Sequence, residues 1–239
     1  MARICTDYGH GGNDSGAVYK GRKESDDNLA LGKAVAAELR RHGVIVDETR
    51  TADVAVSLSE RSAFENRQSY DYFISFHRNA FKPEQAKGVE TYTYLNPGAE
   101  AKGLADKIQA ALVGVGFTNR GVKAANFHVL RETKAPAVLV EVGFIDNTGD
   151  NQLFDGKRDE IVAGITKAIL EQLGIAYVAV FPPASAPTAT EPPSTPNQQS
   201  GQVLYRVMAG SYAARENAEK QKEKLKAAGF DATIMIFKP

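Results

Sequence analysis

The sequence predicts an α/β fold: a sheet with helices on both faces, followed by a small β-α-β unit at the C-terminus. Three observations carry this. Strand-like and helix-like segments alternate over most of the chain. The run "PAVLVEV" (136–142) is almost continuously apolar, as a strand covered on both faces must be. Pro182, Pro183, Pro187, Pro192, Pro193 and Pro196 are six of the ten prolines, and their stretch holds no apolar residue larger than alanine. Such a stretch buries too little surface to offset its ordering entropy, so an extended linker is expected. The chain then divides into a domain over 1–181, a linker over 182–202 and a tail over 203–239.

Each element has its local reason. "ARIC" (2–5) reads as a strand. Residues 26–41 read as a helix, with Leu31, Val35 and Leu39 four apart on one face. Gly43 stops it and "VIV" (44–46) is the second strand. "SLSE", Ser57 to Glu60, has the capping-box pattern and opens a helix running to about Ser69. "DYFISF" (71–76) and "GVETYTY" (88–94) are strands, and a helix follows from Ala99 to about Val113. After "PAVLVEV", a helix from Lys157 to Leu173 closes the domain. The tail reads strand ("LYRVMAGSY"), helix ("AARENAEKQKEKLKAAGF"), strand ("DATIMIF"). A unit that short is marginal alone and is suited to pairing with a second copy.

Composition narrows the classes. The chain has 239 residues, 43% of them hydrophobic, enough for a core. Lys+Arg and Asp+Glu both number 29, so charge gives no case for nucleic acid or an anionic membrane as partner. The alternating acids and bases of the tail helix read as a solvated face. Cys5 is the single cysteine, which excludes an intrachain disulfide and a cysteine zinc cluster. The start lacks the pattern of a secretory signal, and no apolar run is long enough for a membrane span. Synthesis in the cytoplasm without a signal peptide is the expectation.

Two of the four histidines, His10 in "GHGGND" and His77 in "FHRNA", follow strands and precede small or polar residues. Ligands of open α/β sheets collect at the carboxyl ends of strands, so the two can converge. A catalytic zinc takes three ligands from His, Asp and Glu and keeps a fourth position open. Glu24 is the best third ligand; Asp26 and Asp27 compete but suit a helix start. Gly11, Gly12, Gly16 and Gly21 let the intervening loop fold back. Hydrolysis also needs a base, and Glu141, expected at the end of its strand with its pKa raised by partial burial, fits. Arg78 and Asn79 are candidates to contact substrate, or Asn79 caps a turn. His128 lines the cleft or sits in a strand. His42, in "RRHG", suits a helix C-terminus.

"DYGHGGNDSGA", "ESDDNLALG", "YFISFHRNA" and "PAVLVEVGFIDN" together resemble the ordered blocks of the zinc-dependent N-acetylmuramoyl-L-alanine amidases of the amidase-3 type, over about residues 3–173. The resemblance implies a mixed, mostly parallel sheet between helices. It implies one Zn2+ on His10, Glu24 and His77, with Glu141 as catalytic acid/base. The reaction implied is cleavage of the amide between N-acetylmuramic acid and the L-alanine of the peptidoglycan stem peptide. Two positions depart from the family pattern: Tyr8 stands where proline is usual and Ser25 where lysine is usual, and Tyr8 is expected to alter the cleft rim. "YRVMAGSY" and "RENAEKQKEKLKAAGFDA" resemble SPOR-type wall-binding repeats, of which this tail has one half; a homodimer through it would restore two. Peptidoglycan is then the partner, reached by holin-type release in a phage lysin or by mother-cell lysis. Alternatives are a zinc peptidase or deacylase acting on another amide, and a non-catalytic wall-binding protein.

Overall fold

The computed structural model describes residues 1–179, 215–227 and 234. Two compact units are distinguished, Met1–Phe181 and Pro182–Pro239. In the first, the elements are β1 (Arg3–Tyr8), β2 (Val18–Tyr19), β3 (Arg22–Lys23), α1 (Glu24–Arg41), β4 (Ile45–Glu48), α2 (Leu58–Glu65), β5 (Tyr72–Asn79), β6 (Val89–Thr93), α3 (Ala99–Val115), β7 (Asn119–Ala124), α4 (His128–Arg131), β8 (Ala137–Phe144), α5 (Thr148–Gly156) and α6 (Arg158–Gln172). In the second, α7 (Arg215–Ala227) is the expected tail helix. Arg215, Glu219 and Glu223 are exposed four apart along it, and Arg215 Nε donates to Glu219 Oε1 at 2.8 Å. The linker and the strand expected over 204–212 lie outside the described residues, as does that over 231–237 apart from Ile234.

The six-stranded sheet has the order β4-β1-β5-β8-β6-β7. β4, β1, β5 and β8 are mutually parallel. β6 pairs antiparallel with β8 and parallel with β7. The sheet is therefore mixed and mostly parallel. At one edge the carboxyl ends of β1, β5 and β8 meet the amino ends of β6 and β7.

Period-2 alternation sorts the side chains between two hydrophobic clusters. Ile4, Tyr8, Ile74, Phe76, Val138, Val140 and Val142 pack with Leu31 and Leu39 of α1, Leu104 and Ile108 of α3 and Ile165 and Ile169 of α6. Cys5, Phe73, Ala137 and Leu139 face the other way, against Val129 and Leu130 of α4 and the partly buried Phe64 of α2. Helices thus cover both faces, and Cys5 is a buried free thiol. His77 and Glu141 belong to the second set by the same count of two, while Arg78 belongs to the first.

Several expectations are corrected. α1 begins at Glu24, so Glu24 is its first residue instead of standing before it. α2 has its capping box, with Ser57 Oγ accepting from the Glu60 amide and Glu60 Oε2 from the Ser57 amide, but stops at Glu65. β8 continues through Phe144, so Glu141 lies inside the strand. Tyr8 is fully buried and does not reach the rim: its hydroxyl donates to Glu48 Oε1 and its ring lies where a Cβ on Gly32 would be, 2.0 Å from Cε1. His128 opens a short helix and is not in a strand. His42, by contrast, caps α1 as expected, its Nδ1 2.8 Å from the Glu38 carbonyl and its ring stacked on Tyr177.

Candidate active site

The end of β1 delivers His10 through a backbone that few residues tolerate. His10 has φ 63, a left-handed conformation that costs a non-glycine residue about 1–2 kcal/mol. Gly9 before it is forced by contact: a Cβ there would lie 2.1 Å from His77 Cε1. Gly16 is forced twice, by φ +63 and by a Cβ position 2.6 Å from Glu24 Oε2. The loop glycines Gly11, Gly12 and Gly21 also have positive φ, consistent with a chain that doubles back to start α1 at Glu24.

Two buried arginines hold this turn by its carbonyl oxygens. Arg50 donates Nε to the Tyr8 carbonyl at 2.8 Å and Nη2 to those of Gly9 at 3.1 Å and Ser25 at 2.8 Å. Arg61 donates to the carbonyls of Tyr8 at 2.7 Å and His10 at 2.8 Å, and to Asp7 Oδ1 at 2.6 Å. The strained His10 backbone is thereby tied to the first turn of α1 beside Glu24. Neither arginine was legible as a site residue, because these partners, backbone carbonyls and the Asp7 carboxylate, are distant in sequence.

The ligand atoms of His10, Glu24 and His77 lie within 4.8 Å of one another. His10 Nε2 is 3.2 Å from Glu24 Oε2 and His77 Nδ1 is 2.9 Å from Glu24 Oε1. The Glu24 carboxylate is oriented by the Ala17 and Arg78 amides at 3.0 and 3.2 Å and by Asn28 Nδ2 at 3.3 Å. Burial alone would raise its pKa, but the two imidazoles hold it well below the ordinary carboxylate range. The hydrogen bond that His10 donates to Glu24 in turn raises the imidazole to about 9. Asp14 Oδ2 sits 2.9 Å from His10 Nδ1, a contact that would fix the orientation of the imidazole toward a metal on its Nε2. Two imidazoles and one carboxylate this close fit a divalent zinc. Asp27 is not in this group: it pairs with Arg22 and Arg78 at 2.6 Å each. Asp26 stays exposed on the first turn.

Glu141 is in register with His77 on one side and Glu90 on the other. Its Oε2 is buried with no hydrogen-bond partner among the described residues. Burial raises the carboxyl to about 7 against the lowering charge of His77. A carboxyl with that value and a free acceptor can take and return a proton near neutrality.

The chain matches the family description N-acetylmuramoyl-L-alanine amidase over residues 4–171 and the description SPOR domain over residues 167–235. N-acetylmuramoyl-L-alanine amidase CwlM of Bacillus licheniformis is 32% identical over 98% of this chain and 85% of its own. The chain belongs to the N-acetylmuramoyl-L-alanine amidases. The family is generally zinc-dependent, and the chain is a peptidoglycan amidase. The endolysin of Bacillus phage SPP1 is 37% identical over 80% of this chain and 72% of its own. The crystal structure of the N-acetylmuramoyl-L-alanine amidase from Clostridium difficile 630 superposes with a TM-score of 0.69 at 35% identity, covering 72% of this chain and 97% of that one.

Of the remaining candidates, Arg78 is placed differently from expectation. Arg78 was expected to contact substrate, but alternation turns it to the opposite face of the sheet from His77. Its side chain has no exposed surface and is bound to Asp27 Oδ2 at 2.6 Å, Asn151 Oδ1 at 2.7 Å and the Phe154 ring at 4.0 Å. That corrects its role to tying the end of β5 to α1 and α5. Asn79 is half-buried; its Oδ1 accepts from the Ala80 amide at 2.8 Å and its Nδ2 donates to Glu90 Oε2 at 3.2 Å. His128 is half-buried with Nε2 3.1 Å from Ser62 Oγ, linking α4 to α2.

Proposed function

We propose that this amidase domain binds one zinc ion through His10, Glu24 and His77 and uses Glu141 as its acid/base. The observation that carries the reading is the pairing of a satisfied, acidified Glu24 with an unsatisfied Glu141 across His77. When bound, zinc supplies Lewis-acid polarisation of a carbonyl and a hydrolytic nucleophile competent near pH 7. The chain's own contribution is positional and protonic. Arg50, Arg61 and Asp14 hold His10 in place. Glu141 Oε2 accepts a proton from the attacking water and returns it to the departing L-alanine nitrogen. The lactyl carbonyl carbon gains the water oxygen as its bond to nitrogen breaks, and the products are a carboxylic acid and an amine.

The SPOR match and the strand-helix-strand sequence pattern support glycan binding by the tail over 203–239, joined to the catalytic domain over 1–181 through the linker over 182–202. The relatives include an endolysin and a sporulation-specific amidase, which supports a lytic role at the wall after release of the protein from the cell that makes it. Among the described residues no helix is long and apolar enough to cross a membrane. A homodimer through the tail would supply a second half-repeat, and light scattering of the full chain at several concentrations tests it.

Digestion of purified peptidoglycan tests the reaction. New N-terminal L-alanine without new reducing sugar ends is expected. New amines on any other residue would move the activity to a different amide.

A further inference from the structure

The row of polar side chains on the cleft face does not end at Glu141. Glu90 stands directly opposite it on β6, so their side chains share a face about 5 Å apart. Glu90 is buried and accepts from the Arg120 Nε and Lys123 Nζ of β7, the latter at 2.7 Å, both on Oε1. Tyr92 Oη and Asn79 Nδ2 hold its other oxygen. Two cations therefore share one carboxylate and leave a net positive charge. Arg120 and Lys123 are three apart, which in a regular strand would send them to opposite faces. The register shift between β6 and β7, with Gly121 at φ 88, brings both to Glu90.

These cations are held but not used up. The Arg120 guanidinium lies 4.9 Å from the Phe144 ring centroid and gives Nε to Glu90. Among the described residues its two Nη groups make no hydrogen bond, and their end-on edge is the fork that matches a carboxylate. The side chains keep 36% and 40% of their surface exposed, so both heads are open to a ligand.

The order across the sheet then has a chemical direction. In the roles proposed above, His77 helps hold the metal that polarises the acyl carbonyl and Glu141 returns a proton to the leaving nitrogen. A leaving peptide that follows the strand order therefore continues from Glu141 toward Glu90, Arg120 and Lys123. From the L-alanine nitrogen, a carboxylate on the next residue is about 5–6 Å away by one Cα–Cα step and two further bonds. Adjacent strands are about 4.8 Å apart, which sets Glu90 one strand beyond Glu141 with the two cations bound to its Oε1.

We infer that Arg120 and Lys123 form a subsite for the free α-carboxylate of the γ-linked glutamate that follows L-alanine in the stem peptide. This rests on the proposed role of Glu141, and it makes the enzyme discriminate acid from amide at that position. A charge-assisted hydrogen bond lost to an amide corresponds to about 10-fold or more.

The test compares kcat/KM for two muramyl peptides that differ only in D-glutamate or its α-amide at the second position. The parent favours the acid by about 10-fold or more. Arg120→Gln and Lys123→Met, each leaving one cation on Glu90, bring the ratio several-fold closer to one. Calorimetry with the free peptides L-Ala-γ-D-Glu and its α-amide gives a readout independent of turnover. If neither substrate is cleaved, the assignment of the reaction fails, while peptide binding still decides the subsite. Equal kcat/KM for acid and amide in the parent, or equal binding of the two peptides, overturns the inference.

Discussion

Glu24 and Glu141 are both set beside His77, and their surroundings drive them in opposite directions. Glu24 is enclosed by donors: two imidazoles, two backbone amides and the Asn28 amide. Glu141 keeps one buried oxygen with no donor among the described residues. The first carboxyl is held ionised and the second is raised to about 7. In the proposed roles, the same residue type serves as a ligand where donors converge and as a proton carrier where they are withheld. The proposed metal side is also the clamped side, since Arg50 and Arg61 bind its backbone carbonyls.

The sharpest way to break this contrast is to remove the enclosed carboxylate. Glu24→Gln leaves two imidazoles. Zinc affinity is expected to fall by more than the roughly 10–100-fold that loss of an outer-shell partner costs, with amidase activity lost alongside. Metal content after dialysis and dye release from labelled walls check both. Retained zinc at full stoichiometry would remove Glu24 from the ligand set.

The clamp is tested by its own ion pair. Burial alone would raise the pKa of Asp7, but Arg61 and the hydroxyls of Thr49 and Ser75 outweigh it and hold the carboxyl below its usual range. A depressed folded value stabilises the protein above the unfolded pKa of about 4, and that stability is lost as pH falls through the folded value. Acid unfolding below about pH 4 should therefore be shallower in Asp7→Asn. At pH 7 the variant should be less stable by about 3–5 kcal/mol, because Arg61 stays buried without its partner. Denaturant melts at pH 7 and pH 3 measure the difference, and identical pH slopes would show that Asp7 is not the acid-sensitive group.

Arg50→Ala sharpens the comparison without touching a ligand. It frees the carbonyls of Tyr8, Gly9 and Ser25, so zinc affinity should weaken about 10-fold as His10 loosens. A competition titration with a chelating dye reads this separately from stability; a lower melting temperature with unchanged zinc affinity would make Arg50 a purely structural residue. The smallest effect belongs to His128→Ala, which loses the contact with Ser62 at about 1 kcal/mol and should leave zinc affinity unchanged.

Where the sequence was readable, a local pattern carried the answer. Ser57 and Glu60 announce a capping box three residues apart, and the apolar run ending at Glu141 announces a covered strand. The glycines from Gly11 to Gly21 foretold a loop that folds back on His10. What was not readable depends on long-range geometry. Asn119–Ala124 is polar and half-exposed because it is an edge strand, so it lacks the apolar signature of its neighbours. Arg78 stands next to His77 and invited a substrate role, yet one step along a strand puts it through the sheet into a buried ion pair. Counting by two from the Phe76 position would have placed it there. Glu90 and Arg120 reach the site because β6 and β7 run against the other strands, and no single segment encodes that reversal.

The most direct test of the account separates metal holding from proton transfer in one protein. Glu141→Gln should retain one zinc per catalytic domain while release of N-terminal L-alanine from peptidoglycan falls by about 10²–10⁴-fold. Parent-level L-alanine release by that variant would contradict the account, and so would loss of the zinc together with the activity.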